Sequence, residues 1–116
     1  ALSCQRRELP AFHYMIALAG GDSVRCAQYA TFGSAELSAN ALAALDDRHA
    51  CLLANHGLIA TGADVAHALA LAEEVESLAA QYCAALACGT PVLLDAAEMA
   101  RVLEQFRTYG KQDGGS

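Results

Sequence analysis

Clustered positive charge is missing from this 116-residue chain. Seven Lys and Arg residues stand against thirteen Asp and Glu, which gives a formal net charge of −6. The only adjacent basic pair is Arg6-Arg7. Because nucleic acids and anionic membranes attract clustered basic residues, we expect neither nucleic acid nor a membrane as the main partner.

Long apolar runs are missing as well. Hydrophobic residues make up 55% of the chain, but alanine accounts for much of that share. No stretch approaches the roughly 18 consecutive apolar residues of a membrane span, and no basic segment followed by an apolar core indicates a secretory signal. We therefore expect a soluble, cytoplasmic protein that forms at most one domain.

The five cysteines lack the spacing of a metal or redox motif. They form no Cys-x-x-Cys pair, which argues against a zinc knuckle or a redox dithiol. Cys51 and Cys83 lie inside apolar runs and are predicted to be small buried hydrophobes. Free thiols fit a reducing cytoplasm.

Common catalytic motifs are absent too. The chain contains no G-x-S-x-G nucleophile elbow, no H-E-x-x-H zinc motif, and neither a Walker nor a G-x-G-x-x-G phosphate loop. Any chemistry must therefore depend on single residues that the fold brings together.

The order of apolar and turn-forming segments predicts an α/β fold. Four strands are expected, at 11–18, 23–32, 49–55 and 57–61. Helical segments are expected before Pro10 and at about 35–46, 64–87 and 95–106. Ser34 and Asp64 are suited to helix N-termini, and Asp95 with Glu98 forms a capping box. This pattern predicts a sandwich around a mostly antiparallel central sheet flanked by helices.

The four histidines differ as candidate ligands. His49 and His67 are expected to be solvated or packed. His13 and His56 lie in apolar segments, where a hydrogen-bonded core histidine is more common than a metal ligand. Catalytic zinc needs three protein ligands and an open position, and neither an H-x-H pair nor a carboxylate pair accompanies His56.

Several blocks in a fixed order resemble one known family. They read PAFHYMIALAGGDSVRCAQYATFGSAELSANALAAL, then LLANHGLIA, then ALALAEEVESLAAQY, then LEQFRTYG. Together they resemble the class II, zinc-dependent aldolase/adducin-head family, and within it most of all the enzymes that act on L-fuculose 1-phosphate. The resemblance implies a three-layer α/β sandwich over residues 1–110, and we expect 111–116 to be a flexible tail.

The resemblance also implies roles for five residues. Family members hold one Zn²⁺ through three histidines, and His56 matches the histidine of the [HN]-H-G turn. Tyr14 resembles the proton donor to the aldehyde oxygen, and Tyr109 resembles a second tyrosine that helps to place the aldehyde. Phe32 and Phe106 match an apolar wall around the aldehyde's methyl end. Family members form homotetramers with active sites between subunits.

The chain departs from the family in one respect. It begins where the family's sequence has just passed the H-x-H pair, so two zinc ligands, the catalytic glutamate and the phosphate-binding loops have no counterpart. We therefore expect the C-terminal half of an aldolase, incomplete and inactive without an N-terminal half. The complete enzyme would cleave a sugar 1-phosphate such as L-fuculose 1-phosphate into dihydroxyacetone phosphate and a small aldehyde.

Three alternatives stay open at this point. The chain could belong to a sugar-phosphate epimerase or dehydratase of the same family, to a non-catalytic adducin-head-like assembly module, or to a degenerate fragment. Retention of His56, Tyr14 and Tyr109 together favours the enzyme, because a scaffold needs none of them.

Overall fold

The structure, a computed structural model, describes the backbone of residues 1–115 and the side chains of residues 1–108. Two 3₁₀ helices open the chain, at Ser3–Gln5 and Tyr14–Ala19. The strands are β1 (Cys26–Ala27), β2 (Ala50–Leu53) and β3 (Gly57–Ala60). The α-helices are α1 (Ala35–Leu45), α2 (Val65–Cys88) and α3 (Ala96–Gly115). Within the described backbone, no helix combines the length and apolarity that crossing a membrane requires.

The three strands form one mixed sheet in the order β1-β2-β3. β2 and β3 are an antiparallel hairpin in which Leu53 lies opposite Gly57, which confirms the two strands predicted around His56-Gly57. β1 pairs with β2 in parallel, with Cys26 opposite Leu52. With one parallel and one antiparallel pairing, the sheet is mixed. The mostly antiparallel sheet and the three-layer sandwich therefore stay predictions.

The predicted strand at 11–18 is wrong, because this segment forms the second 3₁₀ helix. His13 precedes it in an extended conformation and its Nδ1 accepts a hydrogen bond from the Met15 N–H at 3.1 Å. Gly20, at φ 93°, ends it in the left-handed region, where a Cβ is unfavourable. A short apolar run alone does not distinguish a strand from a buried helical turn.

The predicted strand at 23–32 is mostly wrong. Only Cys26 and Ala27 join the sheet as β1, and Val24 pairs with Leu9 in an isolated antiparallel bridge. The bridge brings the segment after the first 3₁₀ helix against the sheet region, a long-range contact that local sequence patterns do not predict.

The three predicted helix starts are confirmed by side-chain hydrogen bonds. The side-chain oxygens of Ser34, Asp64 and Asp95 each accept a hydrogen bond from the backbone N–H three residues later. Gly89 follows α2, where it was expected to end the helix. α3 continues past residue 106 to Gly115. A helical assignment does not report motion, so the flexible tail at 111–116 stays a prediction.

Two hydrophobic clusters cover opposite sides of β2. The larger cluster packs the second 3₁₀ helix, α2 and α3 around Leu52, and its largest fully buried side chains include Leu2, Leu9, Ile16, Val24, Val75 and Met99. The smaller cluster packs α1 against Cys51 and Leu53. Alternation along the strand explains the division, since successive side chains point to opposite faces.

The two cysteines predicted to be buried differ in exposure. Cys51 is buried, as expected, and burial raises the pKa of its thiol to about 11. Cys83 is only partly buried. On α1, Ala41 and Ala44 are buried, whereas Leu42 is 71% exposed.

Candidate functional site

His56 lies on the turn that joins β2 to β3. Its backbone N–H donates to the Leu53 carbonyl at 3.0 Å and closes the turn. Asn55, just before it, has φ 56° in the left-handed region. The imidazole is exposed at the end of a hairpin whose first strand is buried throughout. His56 is therefore displayed on a rigid element and is open to a ligand.

The start of the chain lies against this turn. The Asn55 backbone N–H donates to the Ser3 carbonyl at 2.8 Å, and the Asn55 side-chain oxygen accepts from Arg6 Nε at 2.7 Å. Arg6 in turn lies over the ring of Tyr29, 5.3 Å from its centroid. Neither Arg6 nor Asn55 was predicted from the sequence. Asparagine before His-Gly was an available signal, since asparagine tolerates left-handed turns; Arg6 carries no comparable signal.

Tyr14 and Phe106 are brought together. Tyr14 is 50% exposed at the start of the second 3₁₀ helix, and its ring meets Phe106 edge-on with centroids 6.3 Å apart. The Tyr14 ring also stacks on His13, with centroids 5.0 Å apart. Aromatic contacts of this kind hold the phenol ring in place, and the residue stays half-exposed.

Phe32 and Tyr109 are the remaining two of the five predicted site residues. Phe32 is 81% exposed in the turn that leads through Gly33 to the capped start of α1. The side chain of Tyr109 lies outside the described residues. Within the described side chains, no hydrogen bond or ring contact joins Phe32 or His56 to the Tyr14–Phe106 pair.

The other histidines have local structural roles. His13 caps the second 3₁₀ helix, and His67 Nδ1 lies 2.7 Å from the Asp64 carboxylate at the start of α2. The His67 backbone N–H, followed by its side chain, lowers the pKa of Asp64. The His49 ring packs against Gly20. These placements agree with the expectation that His49 and His67 are solvated or packed.

Two open cavities share the side chains of Leu18 and His49. One, of about 600 Å³, is bordered by Phe106 and α3. The other, of about 480 Å³, lies over the start of α2. His56 borders neither of them, so the predicted metal ligand and these apolar cavities are separate features.

The described side chains do not form a metal site by themselves. Zinc in proteins takes imidazole nitrogen readily, and catalytic sites use three protein ligands. Among side chains 1–108, no three His, Cys, Asp or Glu residues cluster closely enough to hold a metal ion. The exposed imidazole of His56 is suited to one ligand position, and further ligands would have to come from another part of a protein.

Comparison with known proteins places the chain in a family. The profile described as class II aldolase and adducin N-terminal domain matches residues 1–83. The 5-methylthioribulose-1-phosphate/5-deoxyribulose-1-phosphate aldolase of Rhodospirillum rubrum is 58% identical over 109 residues, which cover 94% of this chain and 49% of that protein. The L-fuculose phosphate aldolase of Escherichia coli (strain K12) is 53% identical over 111 residues, which cover 95% and 52%.

A solved structure agrees with these relatives. An L-fuculose 1-phosphate aldolase superposes with a TM-score of 0.87 at 48% identity, over 91% of this chain and 50% of that one. The chain thus spans about half the length of the curated relatives it matches. With the motifs of His56 and Tyr14 inside the matched region, the chain belongs to the class II aldolase and adducin family.

Proposed function

We propose that residues 1–110 are the C-terminal portion of a class II aldolase that cleaves a ketose 1-phosphate into dihydroxyacetone phosphate and a small aldehyde. The exposure of His56 at the end of a buried hairpin carries the proposal, since a ligand must be both accessible and rigidly held. The identities of 58% and 53% to two aldolases support it.

His56 would hold Zn²⁺ together with an H-x-H pair supplied by an N-terminal half. Zinc, when bound, supplies Lewis-acid polarisation of the substrate's oxygens. The contribution of this chain is to present one neutral imidazole at a fixed place, on a turn closed by the His56-to-Leu53 hydrogen bond.

Tyr14 would act at the aldehyde end of the substrate. Cleavage of a ketose 1-phosphate to dihydroxyacetone phosphate breaks the bond between C3 and C4, and the C4 hydroxyl becomes the aldehyde oxygen. The Tyr14 phenol, accessible beside Phe106, is suited to move the proton of that hydroxyl. In the reverse direction it would donate the proton to the aldehyde oxygen. Tyr109 is proposed as the second tyrosine at this end.

The substrate class follows from the chemistry that the relatives' names share. 5-Methylthioribulose 1-phosphate, 5-deoxyribulose 1-phosphate and L-fuculose 1-phosphate all carry a phosphate at C1 and end in a methylthio or methyl group. An exposed Phe32 and the ring of Phe106 are apolar surfaces suited to that end of the sugar. We propose these three sugars as candidate substrates for the completed enzyme.

The assembly and the location are also part of the proposal. We propose a homotetramer that contains the N-terminal half, by resemblance to the family, in which tyrosines reach across subunits. The half-exposed Tyr14 ring is available for such a contact. A cytoplasmic location rests on the cysteine pattern and composition of the sequence.

The test compares the chain alone with a completed protein, in which it is fused to the part of the Rhodospirillum rubrum aldolase that it does not cover. Zinc content is measured by elemental analysis, and dihydroxyacetone phosphate release by coupled reduction, with each of the three sugars. We expect no stoichiometric zinc and no turnover for the chain alone, and both in the completed protein. A folded completed protein without zinc or turnover would indicate an assembly module. Consumption of sugar without dihydroxyacetone phosphate would indicate an epimerase or dehydratase.

A further inference from the structure

Within the described backbone, three residues other than glycine have a left-handed conformation: Arg6 at φ 55°, Asp47 at φ 59° and Asn55 at φ 56°. This conformation is unfavourable for most L-residues and is best tolerated by asparagine and aspartate, so at Arg6 the surrounding contacts must enforce it. Two of the three, Arg6 and Asn55, are hydrogen-bonded to each other, and Asn55 directly precedes His56.

Asn55 directs its hydrogen bonds to one short segment. Its side-chain oxygen accepts from Arg6 Nε at 2.7 Å, and its side-chain nitrogen donates to the Cys4 carbonyl at 3.5 Å. Its backbone N–H donates to the Ser3 carbonyl at 2.8 Å. A single residue beside His56 thus bonds to three residues within 3–6.

That segment is itself held firmly. Leu2, just before it, is 1% exposed and belongs to the larger hydrophobic cluster. The Ser3 carbonyl also accepts from the Arg6 backbone N–H at 3.0 Å, and the Arg6 guanidinium rests over Tyr29. The segment therefore offers the hairpin turn a fixed reference point.

The Arg6–Asn55 hydrogen bond contributes little to overall stability. It is exposed, and a hydrogen bond adds only about 0.5–1.5 kcal/mol net. Neither residue belongs to a hydrophobic cluster. What the pair does provide is a defined geometry between the start of the chain and the turn that carries His56.

We propose that the Arg6–Asn55 pair is a positioning device for the metal site. It fixes His56 relative to residues 3–6. This inference rests on the proposed function, under which an N-terminal half supplies the remaining zinc ligands. Metal affinity requires ligand distances within about 0.2 Å, so a loosened turn weakens binding even though neither residue contacts the ion.

The experiment replaces each left-handed residue with glycine in the completed protein. Arg6→Gly and Asn55→Gly remove the hydrogen bond between the pair while permitting the same backbone conformation. Asp47→Gly is the matched control, since it relieves the same backbone conformation in the turn after α1, with no hydrogen bond to residues 3–6. Zinc dissociation constants come from chelator competition, ligand geometry from the visible spectrum of the Co²⁺-substituted protein, and stability from urea unfolding.

We expect Arg6→Gly and Asn55→Gly each to weaken zinc binding about tenfold or more, the range for residues that support metal ligands, and to shift the Co²⁺ spectrum. Asp47→Gly leaves the zinc affinity and the spectrum unchanged, and the urea midpoint of the zinc-free protein moves little in all three variants. The double variant should bind zinc as tightly as whichever single variant binds it less tightly, because both substitutions remove the same hydrogen bond. Asn55→Asp, which keeps an acceptor for Arg6, retains zinc affinity.

Zinc binding by Asn55→Gly and Arg6→Gly as tight as that of the unsubstituted protein would overturn the inference. An equal loss in Asp47→Gly would also overturn it, by showing a global loosening. If the unsubstituted completed protein is folded but holds no zinc, the proposed function fails and takes this inference with it. The two failures are therefore separate observations.

Discussion

The hairpin turn at His56 and the middle of α2 are held in different ways. Around the turn, exposed polar groups connect Asn55 to the start of the chain, and the backbone adopts left-handed conformations. In the middle of α2, Val75, Leu78 and Tyr82 are buried, and Tyr82 packs on Phe12 with ring centroids 5.2 Å apart. Apolar burial there is the stronger stabilising force.

The difference teaches that site geometry and stability reside in different residues. A change at the exposed turn removes little buried surface, so it should alter metal binding and catalysis more than unfolding. A change in the buried region should do the reverse. The predictions below test this separation.

The largest effect is expected for His56→Ala in the completed protein. Loss of a ligand removes Lewis-acid assistance worth several kcal/mol, and about 4 kcal/mol corresponds to about 1,000-fold in kcat/KM. Because the ring is exposed, the urea midpoint of the zinc-free protein should hardly change. His67→Ala, an exposed histidine on α2, is the control and should retain activity. Equal losses in the two variants would contradict the assignment of His56.

Ile16→Ala should have the opposite signature. Ile16 is fully buried in the larger cluster, and truncating a buried isoleucine costs about 2–5 kcal/mol of unfolding free energy. Urea unfolding of the chain measures the loss. Leu42→Ala, at an exposed position of α1, should change stability by no more than about 0.5 kcal/mol. Similar effects for the two would show that the larger cluster is not the main source of stability.

Tyr14→Phe should lower kcat of the completed protein about 100-fold, the lower range for a lost acid–base group, with little change in stability. The comparison is Tyr82→Phe, which removes the acceptor of the Arg7 hydrogen bond. That variant should lose about 1 kcal/mol of stability and keep its kcat. A Tyr14→Phe enzyme with unchanged kcat would remove Tyr14 from the proposed mechanism.

The smallest effect concerns pH and Asp64. Hydrogen bonds from His67 lower the pKa of this carboxyl in the folded chain, so its contribution to stability is present above the ordinary aspartate pKa of about 3.9. The contribution disappears as pH falls through the lowered folded pKa. The difference in urea midpoint between the chain and Asp64→Asn should therefore change between pH 7 and pH 2, since asparagine caps the helix without titrating. A constant difference would show that Asp64 does not titrate differently on folding.

Local patterns predicted the parts of the fold that depend on local chemistry. Ser34, Asp64 and Asp95 marked helix starts because their side chains satisfy free N–H groups of the first turn. The hairpin around His56-Gly57 was recognisable from two apolar segments on either side of a turn. The strand expected at 11–18 was wrong because an apolar run does not specify its backbone conformation.

The candidate site divides in the same way. His56 and Tyr14 were identified from motifs and their family resemblance, and their exposure is compatible with the proposed roles. The contact between Tyr14 and Phe106 joins residues 92 positions apart in the chain, and such a contact depends on how α3 packs on the second 3₁₀ helix. The Arg6–Asn55 pair, 49 positions apart, was not anticipated for the same reason.

The sequence by itself determined the starts of the three α-helices, the hairpin and the family, because capping chemistry, turn residues and motif order are local properties. Tertiary structure alone decided that β1 joins β2 in parallel, that the segment after His13 is helical, and that Asn55 ties the His56 turn to the start of the chain. These features arise from contacts between residues distant in sequence, whose energies depend on burial and geometry in the folded chain.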